Sequence, residues 1–329
     1  MWESARVKVA VIGLGLIGGS LLKALAAAGH AVTGYDTDPV TRELAGAADS
    51  IAEAVEGAEI VALAVPLPGL PGVLGELARL GDEAGPAGHG ALLTDVTSVK
   101  GPVRELAAEH GIRRFVGGHP MAGKETSGFA AADPELFDGC AWVLCLEPGE
   151  TDLADWLTVA ALCTAMGARV VPATAAEHDR AVAGISHVPH LAAAAIARRL
   201  VGNPLAATLG AGSFRDGTRV AATRAELTAA MCGGNAAAVR EVLAAVIDDL
   251  QLRLAELGEP DPVGALVPAL REAGDARRAW PARPGPATVA PAGVEELLAL
   301  GRDGGWVTAV AEDLGTVATM RPESGRNSS

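Results

Sequence analysis

The stretch Val7-Lys8-Val9-Ala10-Val11-Ile12-Gly13-Leu14-Gly15-Leu16-Ile17-Gly18, with the residues that carry it on to Asp36, decides how this chain begins to fold. An apolar run closed by glycine reads as a buried strand, and the spacing of Gly13, Gly15 and Gly18 reads as the tight turn that opens a helix. Each glycine has a separate mechanical task. Gly13 permits the turn, Gly15 lets a pyrophosphate reach the backbone, and Gly18 lets helix and strand pack closely. The unpaired N–H groups and positive dipole end of that helix suit phosphate. A second strand, Ala31-Val32-Thr33-Gly34-Tyr35, leads to Asp36, eighteen residues past Gly18. That is close to the roughly 20-residue spacing of a carboxylate that hydrogen-bonds ribose hydroxyls. Gly13, Leu14, Gly15, Leu16, Ile17, Gly18 and Asp36 are therefore candidate dinucleotide contacts. NAD is favoured over NADP, because a 2′-phosphate would meet the charge of Asp36 and the nearest base, Arg42, is not adjacent. The plainer alternative is an apolar strand-turn-helix that binds nothing.

Working outward, a chain of 329 residues exceeds what one core usually supports, and half of its residues are apolar. About two domains of roughly 150 residues are expected, with no tendency to disorder. The net charge of −14 argues against nucleic acid or anionic membrane as a partner, since both require a basic footprint. An anionic substrate must then be held by a few local positive charges. Cys140, Cys145, Cys163 and Cys232 show neither a CxxC pair nor metal-ligand spacing, which suits buried free thiols in a reducing compartment and no metal. The first strand begins almost at the N-terminus, leaving no room for a signal peptide, and no apolar run is long enough to span a bilayer. A soluble, cytoplasmic protein is expected.

Beyond Asp36 short apolar strands alternate with helical segments, at Glu59–Val65, Ala91–Asp95, Phe115–Gly118, Ala141–Leu146 and Ala168–Val171. That alternation indicates βαβ units and a parallel sheet. Ligands in such sheets sit beyond the carboxyl ends of strands, so Val65, Pro66, Asp95 and the Thr97–Lys100 turn are expected on the cofactor side. From Ala175 the pattern changes to long Ala- and Leu-rich helical segments. The expected organisation is an α/β Rossmann-type dinucleotide-binding domain over residues 1–172, an all-α substrate and dimerisation domain over 173–258, and a C-terminal extension over 259–329. The extension is rich in Pro, Gly and Ala, with a short helix at Val294–Leu300 and few strand signals. The apolar excess of the helical part makes a homodimer the expected assembly.

The loop Gly117-Gly118-His119-Pro120-Met121-Ala122-Gly123-Lys124-Glu125-Thr126-Ser127-Gly128 surrounds one histidine with glycine, just after a strand end. An imidazole there is suited to accept a proton from a substrate hydroxyl as hydride leaves the same carbon. Ser98, on a neighbouring strand-end loop, is a candidate to orient that imidazole; its plainer role is to cap the following helix. His187 and His190 are three apart and share a face if helical. They read as substrate contacts or as packed, hydrogen-bonded histidines, since a catalytic zinc would need a third ligand that no companion motif offers. Arg215 and Arg219 lie in a polar turn, where one guanidinium fork suits a substrate carboxylate and the alternative is a surface pairing with Asp216.

Taken together, Gly13 to Gly18, Asp95 to Lys100, Gly118 to Gly123 with Glu125 and Ser127-Gly128, Ser186-His187-Val188-Pro189-His190, and Phe214 to Ala221 resemble the prephenate dehydrogenase family of tyrosine biosynthesis. The resemblance covers about Val7 to Leu257. It implies oxidative decarboxylation of prephenate with NAD, giving 4-hydroxyphenylpyruvate, carbon dioxide and NADH. By the same resemblance His119 accepts the ring hydroxyl's proton and Ser98 is its hydrogen-bonding partner. His190 and His187 line the substrate pocket, Arg219 holds a carboxylate, and Glu125 shapes the pocket. Lys124 adds a positive charge for a carboxylate. Some members carry a C-terminal βαββαβ sensing module, the ACT domain, and the segment from Arg283 to Glu323 is too short to form a complete one. Arogenate dehydrogenase, a β-hydroxyacid or imine-reducing dehydrogenase, and a non-catalytic NAD-sensing regulator are the competing readings.

Overall fold

The apolar runs do form strands, for the reason their composition suggests: β-branched residues that are covered on both faces. The computed structural model describes residues 7–83, 90–124 and 126–323. Strands β1 (Lys8–Ile12), β2 (Ala31–Tyr35), β3 (Ile60–Leu63), β4 (Leu92–Asp95) and β5 (Phe115–Val116) make one sheet in the order β2-β1-β3-β4-β5, with every pair parallel. β1 lies centrally, Val9 opposite both Val32 and Ile60, and Val9 to Ile12 are at most 1% exposed. The chain order reverses between β1 and β3, and a doubly wound sheet binds its ligands in the crevice beyond the strand ends at that switch point. This is the Rossmann-type fold that the sequence implied.

The second sheet departs from expectation. The segment Phe115–Gly118 divides into β5 and a new strand, β6 (Gly118–Pro120), which pairs antiparallel with β7 (Ala141–Cys145). Next comes β8 (Arg169–Ala173), parallel to β7. The C-terminal segment, read as an extension with few strand signals, supplies three more strands: β9 (Thr288–Pro291), β10 (Trp306–Val310) and β11 (Thr316–Met320). The order is β6-β7-β8-β10-β11-β9, so a β-α-β-β unit with the helix Val294–Arg302 extends the sheet of the first domain. Its Leu297, Leu298, Leu300, Val307 and Val317 share a core with Trp142, Leu144, Trp156 and Val170. Pairing and burial are the physical reason for the difference, because β10 finds a partner in β8, β11 in β10 and β9 in β11.

By its contacts the chain divides into residues 1–178 with 284–329, and residues 179–283. The expected boundaries at 172 and 258 are displaced because Thr174 to His178 begin a helix seated on the first unit, and because β9 to β11 return to it. The second unit is helical, as expected, but the run Ala175–Leu200 is interrupted. The helix Ala175–Val182 gives way to a π-turn, Ala183–His187, before Val188–Ala197 resumes. Pro189, which lacks an N–H, sits in the first turn of the resumed helix, where that loss is tolerated. The helices Ala225–Gly234 and Ala236–Glu256 bend by 96° about Asn235. Residues 262–279, expected as extension, form a further helix; Asp261 caps it by accepting from the Gly264 amide at 3.0 Å, and Pro262 fills its first position. A small core of Ala183, Val188 and Val239 holds the unit together, while Leu250, Leu254, Leu257, Val263 and Leu270 are exposed.

Among the described residues no single helix is long and apolar enough to cross a membrane, and no cluster of His, Cys, Asp or Glu is arranged to hold a metal ion. The four cysteines form no disulfide. Burial pushes the Cys140 thiol up to about 11 and raises that of Cys163 well above the ordinary thiol value.

Candidate active site

The glycine turn shows why its residues are small. Gly13 has φ +95°, and a Cβ there would lie 2.6 Å from the Ala64 carbonyl oxygen. A Cβ on Gly18 would lie 1.8 Å from the Gly13 oxygen and 2.8 Å from Cβ of Ala64, so helix and strands meet with no room for a methyl group. Around Gly15 nothing lies within 4 Å of that position, which leaves space for a phosphate to approach. The helix Leu16–Ala27 has no side-chain cap, so its first amides remain available to an anion. Val65 is half-buried and Pro66 is exposed beyond β3.

Asp36, half-buried at the end of β2, accepts from the Leu14 amide at 2.7 Å and from the Asp38 amide at 2.9 Å. These bonds orient the carboxylate beside the glycine turn. Arg42, not adjacent in sequence, is brought close: its Nη1 donates to the Asp36 and Thr37 carbonyls at 2.8 and 3.1 Å, and its guanidinium lies over Tyr35. The helix Pro39–Ala45 makes the approach possible.

Asp95 was expected to face the cofactor, yet its side chain is fully buried. Its Oδ1 accepts from the Gly118 amide at 3.0 Å and its Oδ2 from the Thr97 amide at 3.0 Å. The Thr97 hydroxyl and the Lys100 ammonium also donate to it. Lys100, 1% exposed, donates to the Gly118 carbonyl at 2.6 Å as well. A buried ion pair is tolerated only when its remaining bonds are made, and here they are made to the strand that carries His119. Asp95 and Lys100 are thus positioning residues, and the burial of β4 is the reason that the carboxylate turns inward.

His119 is half-buried on β6, and its Nδ1 lies 2.8 Å from Nε2 of His178 in an edge-on arrangement. Ser98, the partner expected from the sequence, is half-buried on the turn after β4, and His178 is a further partner that the sequence reading did not name. Ser98 does not cap the next helix, whose N-cap is Lys100. His178 is 2% exposed in the helix Ala175–Val182. Thr174 and Glu177 form a reciprocal capping box there: the Glu177 carboxylate accepts from the Thr174 amide at 2.8 Å, and the Glu177 amide donates to the Thr174 hydroxyl at 3.2 Å. Partial burial works to raise the Glu177 carboxyl, but its bonds from Thr174 and Arg302 outweigh that and hold it below the ordinary carboxylate range. His178 escaped the sequence reading; the Thr-x-x-Glu box directly ahead of it was the available signal.

The loop beyond β6 folds back on the helix Leu16–Ala27. Lys23 donates to the Ala132 carbonyl at 2.8 Å, and the Asp133 amide donates to Ser20 at 2.9 Å. This fold-back places Lys124 2.6 Å from Asp133, so the charge read as available to a substrate is already paired. Glu125 lies outside the described residues.

In the second unit His187 is 1% exposed, its Nδ1 3.2 Å from Nδ2 of Asn235, and the same amide donates to the Asp179 carbonyl at 2.7 Å. Of the two readings the sequence left open, these contacts match the packed, hydrogen-bonded histidine. His190 is half-buried and donates Nδ1–H to the Ser186 carbonyl at 2.8 Å, which makes Nε2 the acceptor nitrogen. Arg219 is exposed in the short turn Arg219–Ala222, after a helix, Gly212–Thr218, that replaces the expected loop.

Residues 21–172 match the family model described as the nucleotide-binding domain of prephenate dehydrogenase, and residues 174–262 match that of its dimerization domain. The chain belongs to the prephenate dehydrogenase family. Among curated relatives, the prephenate dehydrogenase of Bacillus subtilis is 36% identical over 234 residues, covering 65% of this chain and 60% of the relative. A cyclohexadienyl dehydrogenase from Zymomonas mobilis is 32% identical over 264 residues, covering 74% of this chain and 86% of the relative. The chain thus spans about three fifths of the Bacillus family member. A solved prephenate dehydrogenase from Aquifex aeolicus, in complex with hydroxyphenyl propionate and NAD+, aligns with TM-score 0.74 and 27% identity over 84% of this chain and 98% of that one.

Proposed function

We propose that this chain is an NAD-dependent prephenate dehydrogenase that forms 4-hydroxyphenylpyruvate and carbon dioxide. The observation that carries the reading is the His119–His178 contact at 2.8 Å, at the end of a strand locked by Asp95 and Lys100. With His178 accepting from Nδ1–H, the lone pair of His119 resides on Nε2, the form that a general base requires. Nε2 then takes the proton of the ring hydroxyl, and the resulting imidazolium donates a charge-assisted bond to His178. The glycine turn and Asp36 would hold NAD, which would supply the hydride acceptor for the carbon that bears this hydroxyl. The ring carboxylate leaves as carbon dioxide, and its electron pair completes the aromatic ring.

The cofactor contacts are Gly13, Leu14, Gly15, Leu16, Ile17, Gly18, Asp36, Val65 and Pro66, and Asp36 favours NAD over NADP. Ser98 contributes to the hydroxyl-binding side. Arg219, through its planar fork, is assigned to a substrate carboxylate, and His190 is assigned to the lining of the substrate pocket. The exposed apolar residues of the second unit support a homodimer, as does the match of that region to a dimerization domain.

The test is NADH formation by the purified protein with prephenate and with arogenate, each with NAD and NADP. Turnover with prephenate and NAD is expected. A preference of tenfold or more for arogenate assigns the substrate to the amine-bearing analogue, and cofactor binding without turnover of either compound supports the regulator reading.

A further inference from the structure

Neither family model reaches past residue 262, yet the β-α-β-β unit of the C-terminal segment is built into the half of the molecule that carries His119. We infer that this unit braces the histidine pair and that Arg302 is the positioning residue through which it acts, holding Glu177 and so seating the helical turn from which His178 meets His119. The inference rests on the reading of His119 as the base.

Three observations carry it. First, β10 pairs antiparallel with β8, Val307 opposite Val170, so the strand leading into the His178 helix is flanked on both sides. Second, the helix Val294–Arg302 approaches β8 so closely that a Cβ on Gly301 would lie 1.8 Å from the Pro172 carbonyl oxygen. Third, Nε of Arg302 donates to Oε1 of Glu177 at 2.6 Å, while Oε2 of the same carboxylate accepts from the Thr174 amide and hydroxyl at 2.8 and 2.9 Å. Glu177 is thereby fixed through both oxygens, and His178 is the next residue. From the other side Glu147 accepts from the Ala175 amide at 2.6 Å.

The first-turn amides of the helix Ala175–Val182 have no partner within the helix, so its start is ordered by bonds of this kind. The pair itself is partly exposed, Arg302 by 58% and Glu177 by 34%, so it adds little to overall stability. Its consequence is orientational: it holds a carboxylate that holds a helix start, and the imidazole there has to meet Nδ1 of His119 within hydrogen-bond reach.

The test uses the full chain with 15N-labelled histidine, reading the ring nitrogens of His119 by NMR beside steady-state kinetics. In the parent, His119 is expected as a single tautomer protonated at Nδ1. Arg302→Ala is expected to bring in the second tautomer and to lower kcat about 3- to 10-fold at unchanged KM for prephenate and NAD, with the melting temperature barely moved. Arg302→Lys should restore most of both signals, and Glu177→Gln, which keeps an acceptor for Thr174, should act in the same direction as Arg302→Ala. His119 ring signals in Arg302→Ala and Glu177→Gln that superimpose on the parent's would overturn the inference. Should the parent fail to turn over prephenate, the proposed reaction falls, whereas the ring nitrogens still decide whether the brace exists.

Discussion

His187 and His190 are neighbours in sequence, whereas His119 and His178 lie 59 residues apart, and the distant pair is the one whose rings meet. In the near pair one ring is buried against Asn235 and the other bonds back to Ser186, so that two residues on one stretch of chain take separate tasks. The distant pair meets because β6 and the helix after β8 border the same sheet. Chemical pairing thus follows the arrangement of elements, and sequence spacing describes it only while the helix stays regular. The π-turn at Ala183–His187 removes that condition.

The contrast is open to breaking by substitution. His119→Asn should lower kcat by about 10²- to 10⁴-fold with NAD affinity nearly unchanged, measured by steady-state kinetics and cofactor titration; a loss below tenfold would remove His119 from the chemistry. Arg219→Ala should raise the KM for prephenate by about 10- to 100-fold, and an unchanged KM would withdraw the carboxylate assignment. The two inward-facing histidines should then separate. His178→Gln is expected to lower kcat about tenfold with both KM values held, while His187→Gln should cost about 1–3 kcal/mol of folding stability by chemical denaturation and leave kcat per folded molecule intact. The same phenotype from both would erase the distinction between them.

The smallest effect concerns acid. Because its bonds hold Glu177 below the ordinary carboxylate range, the capping box contributes stability above the unfolded carboxylate pKa and loses it as pH falls through the depressed one. After allowance for solvent screening the contribution is about a few tenths of a kcal/mol, visible as a slightly flatter acid stability profile in Glu177→Gln.

Much of this was legible beforehand where local chemistry is sufficient. Gly13 and Gly18 announce a turn because no other residue fits their contacts, and β1, β3 and β4 announce themselves because both faces are covered. His119 stood out by lying just past a strand end. Long-range pairing was not legible. Nothing in Glu-His-Asp at 177–179 states that His178 will face β6, and β9 and β11 are too short to signal a sheet until β10 receives β11 and β11 receives β9. Asp95 carried the right position with the wrong role, since only the structure reveals the Lys100 ammonium and Gly118 amide that claim its oxygens. The helix Pro262–Ala279 was readable from Asp261-Pro262, but the surrounding proline and glycine masked it.

The return of the chain to β8 also orders events during synthesis. A ribosome that has made the glycine turn, His119 and His178 has not yet made the strand that covers the open side of β8, and an uncovered strand edge is a template for pairing with other chains. The nascent protein must carry that edge through production of the whole helical unit, and it closes only once residue 310 has left the exit tunnel.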